Sequence, residues 1–151
     1  MPSVANRVAV LHGVNFDVLE RRPAEIYGGL SLSQLEARIS GWAHELELEP
    51  IYFQTNAEGE FCEYLHRSVD LADAVIVNAG AWTHYSRAIA DALQLTGLPA
   101  VEVHLSAVEE RDDWRRLSVF DGLVLAKISG KGPDGYREAL ERLAAELGVA
   151  S

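Results

Sequence analysis

Two periodicities alternate along this chain, and few architectures accommodate both. Short β-branched runs occur at RVAVL (7–11), PIYFQ (50–54), AVIVN (74–78), AVEVHL (100–105) and GLVLAKIS (122–129). Between them, apolar residues recur three and four apart: Leu35, Ile39, Trp42, Ala43 and Leu46 in one segment, and Tyr136, Leu140, Leu143, Ala144 and Leu147 in the last. Such spacing gathers apolar side chains on one helical face. Weaker helical patterns cover 58–68, 85–95 and 109–117. Ser31 and Ser33 each precede a Gln or Glu by three positions, the spacing of a capping box.

Five strands alternating with five helices predict a parallel sheet with helices on both faces. The expected fold is α/β, a flavodoxin-like doubly wound five-stranded parallel sheet of order 2-1-3-4-5 with right-handed crossovers. The 151 residues hold no linker, repeat or low-complexity tract, so a single domain over 1–151 is expected. Ligands of such sheets bind beyond the carboxyl ends of the strands, near the point where strand order reverses. The connections after strands 1, 3 and 4 are therefore the ones that matter.

Composition narrows the ligand. The net charge of −10 argues against nucleic acid and anionic membrane surfaces as partners. An anionic small molecule would have to be drawn in by a local arginine cluster. Cys62 is the only cysteine, which excludes an intrachain disulfide and a thiolate cage. His12, His44, His66, His84 and His104 lack metal-ligand spacing, and no GxxxxGK[ST] or GxGxxG phosphate loop occurs. No apolar run approaches the roughly 20 residues of a membrane span, and MPSVANR lacks the apolar core of a signal peptide. A cytoplasmic location is expected.

The first connection, HGVNFDVLERRPAEIYGGL (12–30), is far longer than the usual two to six residues and carries Asn15, Arg21, Arg22 and Tyr27. A lid over a binding site explains such length; a solvated loop with glycine turns is the plainer alternative. After strand 3, NAGAWTHYS (78–86) sets Asn78 and His84 around a tight turn. There the plainer expectation is a turn with Thr83 capping a helix that begins beside it. Strand 4 ends in EVHLS (102–106), where Glu102 and His104 point to one face. A carboxylate beside an imidazole fixes the ring tautomer and favours its protonated form; a purely structural pair is the alternative. Beyond it, Arg111 and Arg115 stand four apart, on one face of a helix and suited to clamp an anion, or merely solvated.

Taken together, HGVN…RR…EIYG, FQTNAEGE, NAGAWTHYS, VEVHLS followed by two arginines, and GPDGY before the last helix resemble the type II 3-dehydroquinate dehydratases. The likeness runs from about residue 7 to 147, in that family's order and spacing. It implies a flavodoxin-like enzyme without metal or organic cofactor, assembled as a dodecamer of trimers. The implied reaction is trans elimination of water from 3-dehydroquinate, a small anionic cyclic hydroxy-keto acid, through an enolate to 3-dehydroshikimate. In that family the activity serves aromatic amino-acid biosynthesis by the shikimate pathway, or quinate catabolism.

Residue by residue, the resemblance implies Tyr27 as base with Arg22 and Arg111 beside it. Asn15 would hold a water against the enolate oxygen, and His104, oriented by Glu102, would be the acid at the departing hydroxyl. Asn78, Leu105 and Ser106 would bind the carboxylate, and His84 and Arg115 the ring hydroxyls. Asp91 would reach into a neighbouring subunit's site. The chemistry suits these groups. A free phenol with pKa about 10 is scarcely ionised near neutrality, so a phenol base needs cations that favour the phenolate.

Several positions depart from the family pattern. NGPN reads HGVN, with His12 and Val14; Ala79 and Trp82 stand where proline and tyrosine are usual; Ala57 and Ala107 replace a histidine and an asparagine. RHHS reads Arg115-Arg116-Leu117-Ser118, and the segment 118–122 is about four residues shorter than usual. The His12 and Trp82 changes are expected to alter pocket polarity and volume. They leave open a divergent lyase acting on a related cyclic hydroxy-keto acid, and a non-catalytic flavodoxin-like binding protein.

Overall fold

The computed structural model describes residues 5–107 and 112–149. Five parallel strands form one sheet of order β2-β1-β3-β4-β5: β1 (Arg7–His12), β2 (Glu49–Gln54), β3 (Ala74–Asn78), β4 (Ala100–Val103) and β5 (Ala126–Ile128). The flavodoxin-like order expected from the alternating pattern is the observed one. β3 is buried along its whole length, as a central parallel strand covered on both faces must be.

Alternation along the strands sorts the core into two layers. Val8, Val10, Ala74, Ile76, Val101 and Val103 face α2 (Leu32–Glu45) and α6 (Asp134–Leu147). Ala9, Leu11, Val75, Val77 and Ala100 face the side of α3 (Glu58–Leu71) and α4 (Arg87–Thr96). The apolar stripes anticipated for α2 and α6 are the buried ones: Leu35, Ile39 and Ala43 in the first, Tyr136, Leu140, Leu143 and Ala144 in the second. Of the two candidate capping serines, Ser31 is the cap. Its Oγ accepts from the Gln34 N–H at 3.2 Å while Gln34 Oε1 accepts from the Ser31 N–H at 2.9 Å.

The differences from expectation have local causes. The helix after strand 3 does not begin at Thr83. Residues Gly80–His84 form a 3-10 turn, Thr83 Oγ1 is buried without a hydrogen-bond partner, and Ser86 caps α4 by accepting from the Ile89 N–H. β4 ends at Val103 rather than 105, although the His104 N–H still donates to the Ile128 carbonyl at 2.9 Å. β5 is shorter than 122–129, because Gly122 at φ 85° and a turn closed by the Leu123 N–H on the Phe120 carbonyl occupy its first part. Of the helix expected over 109–117, α5 (Asp113–Arg116) is the described part; Arg111 lies outside the described residues.

The long first connection is not irregular. Phe16–Arg21 form a 3-10 segment, and Ala24–Tyr27 a one-turn helix, α1. Phe16 and Leu19 are buried in the α2/α6 layer, so apolar burial anchors the first half while Arg21–Gly29 run along the surface. Among the described residues, no helix is long and apolar enough to cross a membrane.

Candidate active site

Two glycines let the loops after β1 and β3 nest. A Cβ on Gly13 would lie 2.2 Å from the Ala79 carbonyl oxygen, and the Gly13 N–H donates to the Asn78 carbonyl at 2.9 Å. A Cβ on Gly80, at φ 65°, would lie 2.8 Å from the Val14 carbonyl oxygen. This close approach, which only glycine permits, brings Asn15 and Asn78 to the same pocket. Asn15 itself adopts a left-handed conformation at φ 72°, and its N–H donates to Asn56 Oδ1 at 2.8 Å. Gln54 Nε2 donates to that same oxygen at 3.2 Å and to the Gly13 carbonyl at 3.1 Å, so the end of β2 braces the Asn15 turn.

The pocket above the sheet is lined by Asn15, Arg22, Tyr27, Asn78, His84, His104, Leu105, Ser106 and Arg115, with Val14, Phe16, Leu19, Gly80 and Ala81 completing its wall. Of the twelve residues singled out in the sequence for the site, nine therefore meet at one cavity. Glu102 stands behind it as expected, Arg111 is not described, and Asp91 sits on the exposed face of α4, outside this chain's own pocket. The charged lining residues are the guanidinium groups of Arg22 and Arg115, with no carboxylate among the described lining residues. Such a lining suits an anion despite the negative total charge.

Each polar group is held in a defined role. Glu102 is fully buried; it accepts from His104 Nε2 at 2.5 Å and from Ser118 Oγ at 2.8 and 2.9 Å. A carboxylate can only accept, so Nε2 carries the ring proton and Nδ1 is the nitrogen left to exchange one. His84 Nδ1 lies 2.7 Å from the Leu117 carbonyl, which likewise can only accept, leaving Nε2 as a hydrogen-bond acceptor. Burial lowers the His84 pKa and keeps this ring neutral. The His84 and His104 rings lie roughly parallel, with centroids 6.4 Å apart. Arg22 stands 5.5 Å from the Tyr27 ring centre. Arg115 is braced by Asp112 at 3.1 Å and by stacking over Trp114 at 4.3 Å. The Leu105 and Ser106 carbonyls accept from Gly132 and Gly130, so their N–H groups are the donors this turn offers.

The Dehydroquinase class II family profile matches residues 6–144. The chain belongs to the class II dehydroquinase family. Among curated relatives, the 3-dehydroquinate dehydratase of Syntrophotalea carbinolica is 46% identical over 135 residues, covering 89% of this chain and 91% of the relative. That of Halothermothrix orenii is 42% identical over 138 residues, covering 91% and 93%. The crystal structure of the type II dehydroquinase from Propionibacterium acnes superposes with a TM-score of 0.88 at 36% identity, covering 95% of this chain and 99% of that one.

Within this class II dehydroquinase pocket, two expectations from the departures are corrected. His12 and Trp82 do not line the cavity. Trp82 is 6% exposed and packs edge-on against Phe61, while His12 is fully buried against Tyr136, so the changed residues lie behind the wall. Other contributors escaped sequence reasoning. Ser118 was legible only as part of a departing motif, though a buried Glu102 demands a second donor. Gln54 and Asn56 lie in the quoted FQTN stretch without a role that spacing suggests. Trp114 carried no signal at all.

Proposed function

We propose that this protein is a hydro-lyase that converts 3-dehydroquinate to 3-dehydroshikimate by trans elimination. The observation that carries this reading is the meeting of a loop tyrosine with an adjacent arginine, an asparagine turn and a carboxylate-bound histidine at one cationic pocket. The Tyr27 phenolate takes the proton next to the ketone, with Arg22 beside its ring and Arg111 as the second cationic partner. The electron pair moves onto the ketone oxygen as an enolate, which Asn15 stabilises through a held water. The enolate then collapses, the carbon–oxygen bond to the leaving hydroxyl breaks, and a proton from His104 Nδ1 releases it as water. Glu102 holds the resulting imidazole through Nε2. The carboxylate sits on Asn78 and the Leu105–Ser106 turn, and the ring hydroxyls meet His84 Nε2 and Arg115.

Arg21–Gly29 act as the moving part of a lid over residues 12–30, hinged on the buried Phe16 and Leu19, in a single catalytic domain. The chain works as a homo-oligomer, in the dodecamer of trimers that the resemblance implies, with Asp91 of one copy completing the site of the next. Tyr85 and Leu117, 60% and 56% accessible, support contact between copies; the first follows pocket-lining His84 in sequence and the second's carbonyl holds the His84 ring. Retention of Tyr27, Asn15 and His104 in one pocket argues against the non-catalytic reading. The changed His12 and Trp82 lie behind the lining and would not touch the substrate directly, which weighs against a divergent substrate.

The direct test mixes purified protein with 3-dehydroquinate and follows the ultraviolet absorbance of the conjugated enone. A rise without added metal or nucleotide is expected; a flat trace with folded protein overturns the assignment.

A further inference from the structure

Behind the pocket wall, two buried side chains that the reaction described above does not use, His12 and Tyr136, form a polar relay with pocket-lining Asn78. His12 and Asn78 lie opposite each other in register on β1 and β3, so both point to the α6 face of the sheet. Tyr136 descends from α6 between them. Its hydroxyl lies 2.8 Å from His12 Nε2 and accepts from Asn78 Nδ2 at 3.2 Å. His12 and Tyr136 are fully buried, and Asn78, which also lines the pocket, is 3% exposed.

Proton accounting gives the relay a direction. His12 Nδ1 is unpaired among the described residues in either tautomer; if the Tyr136 hydroxyl donates to His12 Nε2, the rest of the relay is paired. The opposite tautomer leaves both Nδ1 and the phenol proton without a partner. Buried unpaired groups are costly, so the first arrangement wins. With its proton committed to His12, Tyr136 can only accept from Asn78, and the amide must present its NH2 end there. Without His12 the phenol proton is free to bond Asn78 Oδ1, and the Gly80 N–H, which donates to that oxygen over a long 3.4 Å, is the remaining contact opposing reversal of the amide.

We infer that His12 is a positioning residue which, through Tyr136, fixes the orientation of the Asn78 amide and keeps an N–H donor available to the substrate carboxylate. The inference rests on the assignment of Asn78 to that carboxylate. Desolvation holds the His12 pKa down at about 3, so the imidazole stays a neutral acceptor across the working range.

The test compares His12→Phe, which fills the space without an acceptor, His12→Gln, which restores an acceptor oxygen, Tyr136→Phe and the Phe double variant. For His12→Phe the KM for 3-dehydroquinate is expected to rise about tenfold with kcat within about threefold. His12→Gln should recover most of the loss. Tyr136→Phe should match His12→Phe, and the double variant should be no worse than either, because both break one relay. An unchanged KM in folded His12→Phe, or additive losses in the double variant, overturns the inference. Nitrogen NMR of the wild-type protein decides the tautomer independently: a proton on His12 Nδ1 is expected, and one on Nε2 sinks the relay. Should His12→Phe fail to fold, the Asn78 side-chain amide signals of Tyr136→Phe and His12→Gln decide. A shift in the first and a wild-type position in the second are expected; the reverse refutes it. If the wild-type protein does not dehydrate 3-dehydroquinate, the functional assignment fails while the NMR still judges the relay.

Discussion

A buried carboxylate is tolerated only where donors replace the water it has lost, and Glu102 is fully buried between His104 and Ser118. Ser118 is the residue whose value this exposes. Ser118→Ala should cost about 1–3 kcal/mol in denaturant melts and lower kcat, because one donor to the carboxylate that orients His104 is lost. Tyr27→Phe should abolish turnover in the enone assay while circular dichroism stays unchanged; near-wild-type turnover would remove Tyr27 as the base. His12 adds a pH dependence. Its folded pKa of about 3 lies below the ordinary 6.5, so the unfolded chain binds a proton that the native one refuses. The stability this contributes is present above about pH 6.5 and is lost as pH falls toward 3. Between pH 7 and pH 5 the loss amounts to about 2 kcal/mol, at roughly 1.4 kcal/mol per pH unit. Melts at both values should show a smaller drop for His12→Gln than for wild type, and equal drops would contradict a neutral buried imidazole.

At the scale of elements, the site depends on how closely two loops approach. Gly13 and Gly80 place the backbones after β1 and β3 nearer than any Cβ allows, with contacts of 2.2 and 2.8 Å waiting for the missing atom. Gly13→Ala should therefore cost about 2 kcal/mol or more, about 4–8 °C in Tm, and should reduce kcat/KM by separating Asn15 from Asn78. Thermal melts with parallel kinetics check this, and a variant as stable and active as wild type would show that the nesting does not matter. The element limits follow the same logic. Strands and amphipathic helices were legible from periodicity because each buries a face of its own. The 3-10 turn at Gly80–His84 and the early end of β4 were not, because they are set by partners distant in sequence. Thr83 looked like a cap by type and position, yet Ser86 wins because its hydroxyl both accepts from the Ile89 N–H and donates to Glu58.

For the molecule as a whole, a chain of net charge −10 presents a pocket suited to an anion, whose described charged lining residues are two arginines. Local guanidinium charge decides there, because charges more than about 8–10 Å away are screened at physiological salt. Asp91, exposed on α4, provides the test of assembly. Asp91→Asn should lower kcat/KM by about tenfold or more, with stability unchanged, if it serves a neighbour's site through charged hydrogen bonds. Full activity in a sample whose mass by ultracentrifugation matches wild type would refute that role. The order of the sheet and the buried stripes of α2 and α6 could be read from the alternating pattern, and nine members of the pocket from the strand ends together with the family resemblance. Periodicity and recurring motifs are local, and the parallel crossover restricts where strand ends can gather. Tertiary structure alone decided the roles of Ser118, Gln54, Asn56 and the His12–Tyr136–Asn78 relay. Those depend on which buried donors and acceptors meet across as many as 124 residues of chain, a matter of packing that no spacing encodes.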